Sequence, residues 1–305
     1  MSTSYRPSGI YSAQWLPTDS TGTLDRPKLA AHLAFEKEAG VTGILALGST
    51  GEFPHLSPDE RKTALDVCAE LAAPMAVIAN ISDIRPKVAI AVGRHAKALG
   101  LSAVALMPPM FFPMAQDDIL AYLLHVAESV DLPVMLYNFP ELCGKRLDLT
   151  TVAAFAERAP MCAIKQSGGE FAYHRELIAL GAEKNFAVMS GADTRLTEVF
   201  ALGGAGCIGG LVNIVPELMV EIYRARNAAG SATIAGERMV AVGRVIDRLA
   251  FPPNVGVGLA ARGFDPGVSK SVLSEKSRQT AAAIEKDLRA LFVSWGLRLG
   301  PASVK

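Results

Sequence analysis

The feature that most constrains this chain is an alternation of short apolar, β-leaning runs with longer segments of helical spacing. It recurs eight times at intervals of roughly 30 residues. Candidate strand 9–14 precedes a helix at 27–39, strand 42–47 a helix at 58–71, and strand 75–79 a helix at 85–99. Strand 103–107 precedes a helix at 116–129, and strand 133–137 one at 150–157. Strand 162–165 precedes 171–180, strand 186–190 precedes 194–202, and strand 205–208 precedes helical sequence from 216 onward. Local punctuation agrees. Ser57 is placed to cap the second helix, Pro58 suits its first position, and Gly100 suits the stop of the third.

Strands that alternate with helices imply right-handed crossovers and a parallel sheet. Eight units over about 225 residues match a (β/α)8 TIM barrel in count and length. The rival α/β architecture, a doubly wound open sheet, usually has fewer strands and a phosphate loop after the first one. No such loop is found here. Residues 1–216 are therefore predicted to form the barrel. Residues 217–305 are predicted to form a C-terminal helical extension packed on it, since no Gly/Ser/Pro linker intervenes. Its last helix, at about 273–295, has Ala281, Ile284, Leu288, Leu291 and Phe292 on one face.

Composition narrows the class of function. Of 305 residues, thirty are basic and thirty acidic, so the formal net charge is zero. There is no basic cluster, which argues against nucleic acid as a partner. The most apolar stretch, 104–115, is broken by Pro108, Pro109 and Pro113, and is short of the roughly 20 residues a membrane span needs. The beginning, MSTSYRPSG, lacks the apolar centre of a signal peptide. Cys68, Cys143, Cys162 and Cys207 are far apart and form no CxxC pair. They read as reduced thiols of a cytoplasmic protein.

In a barrel the chemistry sits where strands end, on the C-terminal face. Lys165 closes the apolar run Met161-Cys162-Ala163-Ile164, which points its stem into the barrel. Burial disfavours an ammonium, and a lysine with a lowered pKa attacks carbonyls to form a Schiff base. The bland alternative is a lysine that snorkels or pairs with a carboxylate. After the second strand, Gly48-Ser49-Thr50-Gly51 offers backbone amides and two hydroxyls to an anion such as a carboxylate. An ordinary βα turn would look the same. Glu52 reads as a residue that holds this loop. Tyr137 ends the fifth strand and offers a phenol for proton transfer, or simply an aromatic ring for packing. Ser167 follows Lys165, Gly210 follows the eighth strand, and Gly191-Ala192-Asp193 follows the seventh. Asp193 either meets substrate hydroxyls or caps the helix from Thr194.

Two patterns are set aside. The stretch 204–209 spells GxGxxG, but it follows a helix and enters a strand, the reverse of a dinucleotide site. His32, His55, His95, His125 and His174 are scattered without metal-ligand spacing, so no metal is expected.

GSTGE after strand two, YNxP after strand five and IKQS ending strand six together resemble the dihydrodipicolinate synthase and N-acetylneuraminate lyase superfamily. The resemblance spans nearly the whole chain. It implies a Schiff-base lyase or aldolase, usually homotetrameric, that acts on pyruvate or another 2-oxo acid plus an aldehyde and uses no cofactor. By that resemblance Lys165, Tyr137 and Thr50 are the catalytic residues: Lys165 forms the imine and Tyr137 is the acid/base. Ser49 and Thr50 hold the carboxylate, while Ser167, Gly191, Asp193 and Gly210 complete the substrate site. Two positions depart from the synthase branch. Leu142 stands where that branch carries an arginine, and Phe111 where a tyrosine is common. Both departures favour a lyase or aldolase of a 2-oxo-3-deoxy sugar acid over a 4-hydroxy-tetrahydrodipicolinate synthase. The apolar Met110-Phe111-Phe112 loop would also suit a less polar aldehyde or a subunit interface. A Schiff-base dehydratase of a deoxy-oxo sugar acid and a non-catalytic 2-oxo acid binding protein are the remaining alternatives.

Overall fold

The structure, a computed structural model, describes residues 5–227 and 233–300. Eight strands form a closed parallel barrel in sequence order: β1 (Gly9–Ala13), β2 (Gly43–Ala46), β3 (Ala76–Asn80), β4 (Ala103–Leu106), β5 (Val134–Asn138), β6 (Met161–Gln166), β7 (Ala187–Ser190) and β8 (Gly206–Gly209). The helices between them are α1 (Arg26–Ala39), α2 (Pro58–Ala72), α3 (Pro86–Ala98), α4 (Gln116–Val130), α5 (Pro140–Cys143), α6 (Leu149–Arg158), α7 (Phe171–Lys184) and α8 (Leu196–Ala201). After β8 come α9 (Pro216–Ala225), α10 (Thr233–Ile246), α11 (Pro253–Ala261) and α12 (Glu275–Ser294). The TIM barrel expected from the alternation is thus observed, with a C-terminal helix.

Period-two alternation divides each strand between two cores. Ala13, Leu45, Ile78, Ala105, Met135, Ala163 and Met189 fill the barrel interior. Ile44, Val77, Val104, Leu136 and Ile164 face outward against Leu33, Leu65, Val92, Leu123 and Phe155 of the helices. Lys165 falls on the inward face because it lies two residues beyond Ala163. The barrel closes where β1 meets β8, with Gly9 opposite Gly206. A Cβ on Gly206 would lie 2.2 Å from the Gly9 carbonyl oxygen, so only glycine lets these strands meet.

The helix signals resolve largely as read. Ser57 and Glu60 form a reciprocal capping box at the start of α2, with Pro58 first in the helix. Ile284, Leu288 and Phe292 of α12 pack against Val255 and Leu259 of α11 and against Phe35 of α1. Three details differ. Gln14 lies past the end of β1, where its amide turns to His32. The predicted helix at 194–202 is a 3-10 turn, Asp193–Arg195, followed by the short α8. The four-residue α5 follows Phe139, where the spacing shows no helix. Among the described residues no helix is long and apolar enough to cross a membrane.

Candidate active site

Tyr137 and Lys165 are direct neighbours in the register between β5 and β6, and both side chains point into the C-terminal mouth of the barrel. Lys165 is only 4% exposed. Its Nζ donates to the Tyr137 hydroxyl at 3.1 Å and lies 4.3 Å from the centre of the phenol ring. The same hydroxyl is 2.6 Å from Ser49 Oγ. An amine, a phenol and an alcohol from three different strand ends therefore form one continuous polar chain in a buried setting. In low dielectric each of these contacts is stronger than it would be in water.

The loop that carries Ser49 and Thr50 is held at both ends. It is entered through Leu47 and left through Glu52, and both adopt the left-handed conformation, at φ 58° and 55°. Such backbone persists in non-glycine residues only where the surroundings enforce it. Asn80 Nδ2 donates to the Leu47 carbonyl at 2.7 Å. The buried Glu52 carboxylate accepts from Ser271 Oγ at 3.2 Å and pairs with Lys270 Nζ at 3.4 Å. Glu52 is thus a loop-holding residue, as expected. Inside the loop, a Cβ on Gly51 would lie 2.9 Å from the Gln14 carbonyl oxygen, so the loop rests directly on the chain leaving β1.

Asp193 is half-buried at the opposite wall. It accepts from the Leu211 amide at 2.8 Å and touches Cys207 Sγ at 3.5 Å. Burial raises its pKa above the ordinary carboxylate value, while the Leu211 amide and the Lys165 ammonium pull the other way. It does not cap the following helix: no side-chain cap bond is made there. The carboxylate instead fastens the turn after β8. Gly209 makes room for it, since a Cβ there would sit 2.2 Å from Asp193 Oδ1. Gly191 makes similar room for Ser167, whose Oγ would lie 2.2 Å from an added Cβ.

These groups open on a chamber of about 380 Å³. The residues that the resemblance assigns to the site all line it: Ser49, Thr50, Tyr137, Lys165, Ser167, Gly191, Asp193 and Gly210. A larger groove of about 740 Å³ runs between α8, α9 and α10. It shares Asp193 and Thr194 with the chamber but reaches neither Lys165 nor Tyr137, so the reactive groups belong to the smaller one.

The sequence reading missed the far wall. Thr194, Arg195, Asp247, Phe251, Asn254 and Val255 also line the chamber, Asn254 and Val255 from α11 and Asp247 from just past α10. The one available signal was Asn254, a lone amide opening the apolar run of α11. The apolar departures sit at the other rim. Leu142, Met107, Met110 and Phe53 line a side cavity of about 190 Å³ that touches Ser49. Lys145 and Arg146, the nearest cations to Leu142, are engaged elsewhere: Lys145 donates to the Pro109 carbonyl at 2.6 Å and Arg146 pairs with Glu170. Phe111 is 85% exposed at φ 80°, with its ring edge-on to Phe112. Among the described residues no group of three or more His, Cys, Asp or Glu side chains is placed to hold a metal ion.

A parallel barrel with a buried lysine paired to a tyrosine at its C-terminal mouth defines a class of carbonyl-handling barrels, and comparison with known proteins specifies which. The sequence model of the dihydrodipicolinate synthetase family matches residues 6–290, and the chain belongs to that family. This sets it within the superfamily of Schiff-base lyases and aldolases. An uncharacterized DapA-like lyase of Halobacterium salinarum is 31% identical over 277 residues, covering 90% of each chain. A 4-hydroxy-tetrahydrodipicolinate synthase of Methanothrix thermoacetophila is 31% identical over 71% of this chain and 73% of its own. The Escherichia coli protein YagE, named a putative 2-dehydro-3-deoxy-D-gluconate aldolase, is 32% identical over 70% of this chain and 72% of its own. Its crystal structure in complex with pyruvate superposes with a TM-score of 0.86 at 27% identity, covering 95% of this chain and 99% of that one.

Proposed function

We propose that this protein is a pyruvate-dependent class I lyase or aldolase that makes or breaks a carbon–carbon bond of a 2-oxo acid. The observation that carries this is the Tyr137 hydroxyl, set between Lys165 Nζ at 3.1 Å and Ser49 Oγ at 2.6 Å. In this reading the Lys165 amine attacks the C2 carbonyl of the oxo acid. Water leaves with the phenol proton of Tyr137, and a protonated imine remains on Nζ. Ser49 and Thr50 hold the neighbouring carboxylate with hydroxyls and backbone amides. In the cleavage direction Tyr137 accepts the proton of the C4 hydroxyl, the C3–C4 bond breaks and an aldehyde departs. The bonding pair passes into the imine, leaving an enamine instead of a free carbanion. Protonation at C3 and hydrolysis of the imine release pyruvate and restore the amine. Condensation runs these steps in reverse. No metal or organic cofactor enters this sequence.

The far wall supports a hydroxylated chain on the distal side. Thr194, Arg195, Asp247 and Asn254 line it and offer both hydrogen-bond donors and acceptors to the sugar end of a 2-oxo-3-deoxy sugar acid. Leu142 offers no charge to a second carboxylate, which weighs against the synthase reaction. In this reading the chain works as a homotetramer, for which the exposed rings of Phe111 and Phe112 at the rim supply apolar contact surface.

Borohydride reduction in the presence of pyruvate, followed by peptide mass spectrometry, tests the reading. It requires a reduced pyruvyl adduct on Lys165. Absence of the adduct from folded protein in excess pyruvate would overturn it. Pyruvate and an aldehyde as products, as opposed to an oxo acid with water lost, would separate the lyase from a dehydratase.

A further inference from the structure

The segment that joins α11 to α12 lies across the chain leaving β1, far from it in sequence. Trp15 Nε1 donates to the Pro266 carbonyl at 2.8 Å, and Thr18 Oγ1 donates to the Val268 carbonyl at 2.8 Å. Gly267 lies directly on Thr18. It has φ 79°, and a Cβ there would come within 2.2 Å of the Thr18 carbonyl oxygen. Held this way, the segment delivers Lys270 to the interior. Its Nζ donates to the Leu16 carbonyl at 2.9 Å, lies 5.4 Å from the Trp15 ring and pairs with Glu52 Oε2 at 3.4 Å. Ser271 Oγ meets the other Glu52 oxygen at 3.2 Å. Both members of the ion pair are almost fully buried, with side chains 8% and 2% exposed.

A buried pair of this kind is weak evidence for stability, because desolvation offsets most of its attraction. Its location is informative. Glu52 ends the loop that carries Ser49 and Thr50, and its left-handed backbone needs to be enforced. The Glu52 amide also closes that loop by donating to the Ser49 carbonyl at 3.0 Å. We propose that Lys270, assisted by Ser271, is a positioning residue for the carboxylate end of the active site, acting through Glu52 on Ser49 and Thr50. The C-terminal extension then sets the affinity of the site for its 2-oxo acid, although Lys270 does not line the chamber. The inference rests on the Schiff-base reading given above.

The test measures the rate of borohydride trapping on Lys165 as a function of pyruvate concentration, in the wild type and in Lys270→Met, Lys270→Arg and Glu52→Gln. In Lys270→Met the half-saturating pyruvate concentration is expected to rise about tenfold, with a smaller fall in the maximal trapping rate. Lys270→Arg, which keeps the charge and donors, restores most of the affinity. Glu52→Gln keeps an acceptor for Ser271, loses the ionic partner of Lys270 and shifts half-saturation in the same direction. It supplies the answer if Lys270→Met does not fold. Half-saturation within twofold of wild type in the folded variants overturns the assignment. So does a fall in maximal rate with no change in half-saturation. If the wild type itself shows no adduct, the Schiff-base reading fails. If it does and the variants bind pyruvate normally, the positioning role alone fails.

Discussion

Ser49 Oγ lies 2.6 Å from the Tyr137 hydroxyl, although the two residues are 88 positions apart, one in the loop after β2 and the other on β5. The loop suited to a carboxylate and the candidate acid/base are therefore one hydrogen-bonded unit. A change on either side is expected to be felt on the other, and the two should not behave additively.

Removing the nucleophile is the plainest case. Lys165→Ala should abolish the pyruvyl adduct and lower turnover by at least about 10³-fold, since among the described residues no other lysine lines the chamber. Lys165→Arg should be as poor, because a guanidinium stays protonated and does not form the imine. Residual trapping in either variant, mapped to another lysine, would count against the assignment.

Tyr137→Phe should leave the barrel folded and lower kcat by about 10²-fold, within the range expected for losing one positioned acid/base group. Ser49→Ala should cost less, and the double variant should lose less than the product of the two single effects. Strict multiplicativity in the double variant would show that the 2.6 Å contact carries no coupling.

Gly209→Ala places a methyl 2.2 Å from Asp193 Oδ1. It should push the carboxylate off the Leu211 amide, leave that amide unpaired and destabilise the fold by about 1–3 kcal/mol. The turn after β8 carries Gly210 at the chamber wall, so kcat/KM should fall as well. Denaturant titration and steady-state kinetics on the same preparation would show whether both losses occur.

A buried polar cluster behind β1 should govern how stability changes with pH. Gln14 Nε2 donates to His32 Nδ1 at 3.0 Å, and His32 Nε2 donates to the Asn213 carbonyl at 2.9 Å. Both ring nitrogens are used by a neutral imidazole, and burial pushes the His32 pKa down to about 4. Glu36 lies 3.5 Å from the same ring, and burial pushes its pKa up from 4.5 to about 8. The two therefore face each other uncharged near neutrality, not as an ion pair. The contribution of protonated Glu36 is fully present below pH 4.5 and is lost as the pH rises through about 8. The neutral His32 contributes above its ordinary value of 6.5 and is lost as the pH falls through about 4. Glu36→Gln should match wild type near pH 5 and exceed it at pH 8.5 by on the order of 3 kcal/mol. A stability difference that does not grow with pH, measured by urea unfolding across that range, would refute this.

The alternation of apolar runs and helical segments determined the barrel, because a period of two followed by a period of 3.6 leaves few ways to bury both faces. It also located Lys165, Tyr137 and the Gly48–Gly51 loop, since strand ends in such a barrel converge on one face. What surrounds them was decided in three dimensions. Lys270 and Ser271 reach Glu52 from more than two hundred positions away, and Asn254 and Asp247 join the far wall from α11 and the end of α10. Sequence leaves Asp193 open as a substrate contact or a helix cap; in the fold it makes no cap bond, and its carboxylate ties down the turn after β8 while lining the chamber. The physical reason is that local order follows from spacing, which any window of sequence displays. The partner of a buried charge or amide is set by how separate elements pack, and no local pattern records it.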